Sequence, residues 1–267
     1  MRKLVQIALA VLLVVVGSVI AWQVLRLREP VYQGKTLNAW LQEYVAADNQ
    51  FPVTEEKAAS LRRAGDGIRR IGTNALPFLV QMARAKDSPF KRFITAAARN
   101  QSLIRVHLRT DKEIRDLAVV GFYALGPIGK DAVPVLVELL NGQDRDVRLI
   151  GADCLGNIGP DAKVAVPALL SFLNNTSRDV RFATTVNLGR IHMDAALVVP
   201  ILITNLTKSN AILPITINVL GKFEQEAKPA TFALLQFLNH ENEYVRVEAT
   251  NALKKIDPEA AAKAGVR

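Results

Sequence analysis

A chain of 267 residues, half of them apolar, has enough hydrophobic material for a continuous core, and with aromatics at only 6% that core is aliphatic. The single cysteine, Cys154, excludes an intramolecular disulfide framework and a thiolate metal site drawn from this chain alone. The formal charge of +9 is localised: residues 1–56 are balanced, residues 57–115 carry fourteen basic and four acidic side chains, and residues 116–267 carry fifteen and sixteen.

Arg2 and Lys3 precede an uncharged run from Leu4 to Leu25, and Arg26 and Arg28 come after it. In helix this run spans ~33 Å at ~1.5 Å per residue, enough for a bilayer core of ~30 Å. Trp22 stands near its far end, where an indole favours the interface. Two readings stay open. One is an uncleaved single-pass anchor over residues 4–25. The other is a signal peptide with an apolar centre at Leu4–Val16, a break at Gly17-Ser18 and a small-residue cleavage site at Val19-Ile20-Ala21. The length of the run favours the anchor. Either reading exports the remainder of the chain, so the expected location is the membrane with an extracytoplasmic (periplasmic) C-terminal domain, and secretion after cleavage is the alternative.

Glu29-Pro30 closes this segment, Gly34-Lys35 breaks the chain again, and Thr36 is placed to cap a short amphipathic helix. Leu37, Trp40, Leu41, Tyr44 and Val45 share one face of it, which predicts a lid on the first helical pair. Asp48–Thr54, with Pro52, reads as a linker. The expected organisation is therefore an anchor over 1–28, lid and linker over 29–56, an irregular basic first unit with an insertion over 57–115, and regular repeats with a C-terminal cap over 116–267.

The repeats emerge on self-alignment. Asp146-Val147-Arg148 returns 33 residues later as Asp179-Val180-Arg181, then as Ile212-Leu213-Pro214 and Tyr244-Val245-Arg246. Pro134, Pro167 and Pro200 keep the same step, as do Leu155-Gly156, Leu188-Gly189 and Leu220-Gly221. Val147, Ile150, Cys154, Leu155 and Ile158 form the aliphatic stripe of a first helix that stops at Gly159-Pro160. Pro134, Pro167 and Pro200 are then expected in the first turn of the second helices, where a missing N–H costs nothing. Those helices are read as Val133–Leu140, Val166–Leu173, Val199–Leu206 and Ala230–Leu238. The chain reads as all helix, with no strand: an all-α α-solenoid of the armadillo/HEAT-like kind behind an N-terminal transmembrane or signal helix.

The run Ala152-Asp153-Cys154-Leu155-Gly156-Asn157-Ile158-Gly159-Pro160-Asp161-Ala162, continued by Val166-Pro167-Ala168-Leu169-Leu170, resembles the short HEAT repeats also found in phycobilisome lyase-like proteins. The resemblance extends less regularly to Ile71-Gly72-Thr73-Asn74-Ala75-Leu76-Pro77. Gly34-Lys35-Thr36-Leu37 with Trp40-Leu41 behind an apolar segment is similar to membrane-anchored bacterial HEAT-repeat proteins. This likeness implies a curved helical surface that holds another macromolecule.

The Asp-Val-Arg column reads as structural: Asp caps the first helix and Arg reaches the acidic residue of the next repeat, making a ladder. His107, His192 and His240 lie on different units with no shared ligand spacing, Cys154 falls on an apolar stripe, and no nucleophile elbow, P-loop or dinucleotide fingerprint is present. No catalytic residue, cofactor or metal is therefore expected. Two surfaces are candidates for a partner. One is the second-helix column Gln81, Glu138, Ser171, Thr204 and Gln236, with Asn174 and Asn239 a turn away. The other is the basic unit, with Arg62, Arg63, Arg69 and Arg70 on one helix and Lys91, Arg92, Arg99, Arg105 and Arg109 beyond it. Three functions are compatible with these features: a membrane-tethered, non-catalytic protein–protein scaffold; a bilin-lyase-like enzyme; or a peripheral anion-binding domain, with anionic lipid headgroups ahead of acidic protein and nucleic acid last.

Overall fold

The structure, a computed structural model, describes residues 28–48, 54–86, 109–208 and 212–266. The expected membrane segment, the middle of the linker, His107 and the candidates Lys91, Arg92, Arg99 and Arg105 lie outside the described residues.

The described chain opens with a feature absent from the sequence expectations. Strands β1 (Val31–Tyr32) and β2 (Lys35–Thr36) pair antiparallel, Val31 opposite Thr36 and Tyr32 opposite Lys35. Gln33 and Gly34 join them with φ of 49° and 73°, the positive pair that a two-residue primed turn demands. The expectation of no strand is thus corrected: the chain break read at Gly34 is a hairpin too short to show alternation. Pro30 O accepts from Leu37 N at 2.9 Å, and the Glu29 carboxylate accepts from Asn38 N, so the hairpin leads straight into α1 (Leu37–Asp48).

Helix α1 is the lid that its sequence predicts. Leu37, Trp40 and Leu41 are buried, and Tyr44 and Val45 pack on the same core. It lies on α2 (Glu55–Ile71), whose two interior glycines make this seat. A Cβ on Gly67 would stand 2.6 Å from the Trp40 indole, and one on Gly65 would meet Tyr44 at 3.4 Å. Gly72, with φ of 63°, ends α2, and a 3-10 turn over Gly72–Ala75 leads to α3 (Leu76–Ala83).

Regular pairs come next: α4 (Asp111–Leu125) with α5 (Val133–Leu140), α6 (Arg145–Ile158) with α7 (Val166–Phe172), and α8 (Arg178–Ile191) with α9 (Ala195–Lys208). After them stand α10 (Leu213–Lys222) with α11 (Thr231–Leu235) and then α12 (Glu243–Ile256) with α13 (Pro258–Lys263). First helices stack on first helices, α4 on α6, α6 on α8, α8 on α10 and α10 on α12. Second helices as short as α5 and α7 would not persist alone, since isolated helices below ~12–15 residues are marginal in water. Their order comes from one apolar core running from Leu37 to Ala261. The stretch Asp111–Leu140 is long and apolar enough to cross a membrane, but it is a helical pair bent at Gly126 with Phe122, Leu136 and Leu140 buried in that core.

Three expectations change in detail. Pro134 and Pro167 stand in the first turns of α5 and α7, but Pro200 is inside α9, which begins at Ala195. The reason is the joint: where other first helices end on Gly126 or Gly159, α8 ends on His192 at φ of 50°, and α9 starts without the 3-10 turn found after those glycines. The last second helix is also shorter than expected, α11 passing into a 3-10 turn at Gln236–Asn239.

The third change concerns the Asp-Val-Arg column. The caps are Asp144 and Asn242, whose side chains accept from the amides of Asp146 and Val147 and of Tyr244; Ser177 holds the same place without a capping bond, its Oγ accepting instead from Arg145 at 2.9 Å. Asp146 and Asp179 sit one position inside the first turn. The arginines do not chiefly form a ladder. Arg148 donates to Gly142 O and Gln143 O at 3.2 and 3.5 Å, Arg181 to Asn175 O and Thr176 O at 2.7 and 2.9 Å, and Arg246 to His240 O and Glu241 O at 2.8 and 2.9 Å. Each clamps the turn that delivers its own helix. Arg115 does the same to Ala85 O at 2.7 Å, 30 residues back, closing the base of the insertion. Its 3.6 Å pairing with Asp146 is the one rung of the expected ladder among the described residues.

Candidate functional site

Gln81 on α3, Glu138 on α5, Ser171 on α7, Thr204 on α9 and Gln236 after α11 are all exposed, as are Asn174 and Asn239. They share a solvent face because each stands where a second helix turns away from the core. The Ser171 hydroxyl donates to Ala168 O at 2.7 Å and Thr204 to Pro200 O at 3.0 Å, so both are spent on their own helices. Glu138 meets Arg84 at 3.5 Å, an exposed pair worth little. The column is a row of exposed polar side chains, two of them bonded to their own helices. A second row lies outside the sequence expectations: Leu149, Phe182, Ile215 and Val247 come one residue after Arg148, Arg181, Pro214 and Arg246 on successive first helices. Phe182 and Val247 are each 47% exposed, and Leu149 and Ile215 are half-buried. Their 33- or 32-residue spacing was the available signal.

The four basic candidates of α2 separate. Arg69 turns toward α4, donating to Ala124 O at 3.3 Å and pairing with Asp66 at 2.6 Å. Arg62, Arg63 and Arg70 instead line an open groove of about 600 Å³ between α2 and the hairpin, with Tyr32, Gln33 and Trp40 opposite. Trp40 Nε1 donates to Tyr32 O at 3.2 Å, and the two rings lie 6.4 Å apart. Lys35 Nζ stands 4.4 Å over the indole. Glu43 takes Lys35 at 2.6 Å and Arg63 at 2.9 Å. The hydrogen bond from Lys35, helped by Arg63, holds the Glu43 carboxyl below its ordinary value against the opposite pull of burial. Arg62 and Arg70 have no hydrogen-bond or ion-pair partner among the described residues. Sequence reading found the arginines and missed Tyr32 and Gln33, because only the hairpin brings them across.

The family described as HEAT repeats matches residues 107–189 and again 133–213. HEAT repeats are found in this chain. The two matches overlap by more than one repeat and cover α4 through α9, the part where helices, joints and arginine clamps recur most regularly. The comparison with curated proteins finds no match. Among solved structures, the crystal structure of an engineered protein aligns over 84% of this chain and 97% of its own, at 19% identity and a TM-score of 0.46.

The polar groups inside the HEAT repeats serve the stack. Asn187 Nδ2 donates to Asp153 Oδ1 at 2.8 Å, Arg190 to Asn157 Oδ1 at 3.0 Å, Asn157 to Val119 O at 3.1 Å and Asn218 to Glu248 at 3.0 Å, all between neighbouring first helices. Burial raises the Asp153 carboxyl above its ordinary value, with Asn187 and Arg190 opposing. Cys154 is fully buried, and the same loss of solvation pushes its thiol far up, away from the thiolate that nucleophilic chemistry needs. His192 ends α8 with its ring 4.8 Å from Phe223, and His240 Nδ1 accepts from Asn242 N at 3.1 Å, in separate joints.

Proposed function

We propose that this protein is a non-catalytic, membrane-tethered scaffold whose HEAT repeats hold a protein partner. The observation that carries the reading is the pair of surface rows kept at the repeat period, polar on the second helices and apolar on the first. A side chain that recurs at fixed spacing on a stacked frame offers a partner a regular line of contacts. Stacking explains why the core positions recur. It gives no reason for Phe182 and Val247 to stay exposed and apolar. The tether rests on the uncharged run Leu4–Leu25 and its basic flanks. The test is photo-crosslinking from positions on these rows with the full chain in its native membrane. A specific protein adduct is the expected result, and none from any row position contradicts the reading.

A further inference from the structure

We propose that the groove between the hairpin and α2 is a binding site for the phosphate headgroup of an anionic phospholipid; this rests on the membrane tether proposed for the scaffold. The charge is of the right sign and is available. Glu43 occupies Lys35 and Arg63 together and Asp66, which also lines the groove, is taken by Arg69, which leaves Arg62 and Arg70 as the guanidinium groups at the opening without an ion-pair partner among the described residues. Guanidinium suits phosphate because it is always charged and offers paired N–H donors.

The spacing argues for an extended anion rather than a point one. Arg62 and Arg70 are eight residues apart on one helix, about 12 Å along the axis, so their side chains bracket a group the length of a phosphate with its glycerol. Between them Gly67 contributes no side chain, so the buried Trp40 indole packs against that backbone, and the half-buried Tyr32 ring stands beside it at the groove wall. Volume agrees, since about 600 Å³ is within the range of ligand clefts, ~300–1,000 Å³.

Position selects lipid over a soluble anion. Tyr32 comes seven residues after Leu25, the last residue of the apolar run, at most about 25 Å of extended chain. A tethered chain therefore keeps this groove within reach of the headgroups of the leaflet that it faces.

The experiment uses the full chain in neutral detergent micelles, with Trp22→Phe so that Trp40 is the sole indole reporter of the two tryptophans. Short-chain phosphatidylglycerol, short-chain phosphatidylcholine, inorganic phosphate and a glutamate-rich peptide are each titrated against Trp40 emission. The expected result is a saturable response to phosphatidylglycerol that weakens with salt and is far stronger than the response to phosphatidylcholine. Arg62→Gln with Arg70→Gln should weaken it about thirtyfold, and Glu43→Gln, which releases Lys35 and Arg63, should strengthen it. Melting by circular dichroism accompanies each variant, and the gain at Glu43 stands independently of any loss. Four results overturn the proposal: no saturation with phosphatidylglycerol, equal binding of phosphatidylcholine, inorganic phosphate filling the groove as tightly as the lipid, or tighter binding of the acidic peptide. Alkaline extraction of native membranes separates the groove from the tether. Release of the protein refutes the tether, and retention with any of those four results refutes the groove alone.

Discussion

Arg148, Arg181 and Arg246 show what a recurring residue does when its neighbours change. Each holds two carbonyls five and six residues earlier, so the clamp needs nothing specific of the residues it grips. That is why the arginine column was legible in the sequence and its role was not: backbone acceptors leave no signature. Arg181→Ala should cost about 1.5–3 kcal/mol in urea unfolding, the range for hydrogen bonds from a charged donor. Arg181→Lys should recover only part, since both bonds come from Nη1, whose N–H groups the planar guanidinium fixes in direction while an ammonium on a flexible stem does not; an unchanged midpoint for the alanine variant removes the clamp from the account. Asp153 gives the pH-dependent counterpart. Its folded-state value is raised by burial, so the native state disfavours the ionised form, and the residue withdraws stability as pH rises from its ordinary value, about 4, through the raised one. Asp153→Asn keeps an acceptor for Asn187 and loses the charge. Its stability relative to the parent should therefore climb as pH rises above about 4, and a flat difference over that rise refutes the assignment.

Elements were read best where a short-range rule acts alone. The α5 bounds follow from Pro134 and the aliphatic run, and the α1 lid follows from its apolar face. Pro200 was misplaced because the helix start depends on the preceding joint, where His192 replaces the glycine of earlier repeats. The Leu-Gly column has a reason that only packing reveals. A Cβ on Gly156 would stand 2.2 Å from the Asn187 side chain, one on Gly189 2.8 Å from Val219, and one on Gly221 3.1 Å from Ala252. These glycines let consecutive first helices approach. In an isolated helix Gly189→Ala would gain about 1 kcal/mol from propensity. Here the overpacking against Val219 should reverse the sign and leave the protein about 1–3 kcal/mol less stable. A stabilised Gly189→Ala variant shows that the helices do not meet there.

For the whole molecule, the period of 33 made the helical stack visible from sequence, because every repeat solves the same packing problem. The groove was not visible. Its walls come from a hairpin and a helix 26 to 38 residues apart, and the hairpin is too short for a periodic signal. Nor did charge counting distinguish Arg69, bonded across to the α4 backbone, from Arg62 and Arg70, left facing the groove. The stack, the two surface rows and the groove near the apolar segment are what the proposal of a scaffold held at a membrane rests on. The measurement that tests this most directly is photo-crosslinking from Thr204, exposed on the second-helix row, compared with Lys163, exposed in a joint off both rows. The account predicts a discrete protein adduct from Thr204 in native membranes and none from Lys163. Equal adducts from both positions, or none from Thr204 and Phe182 alike, would contradict it.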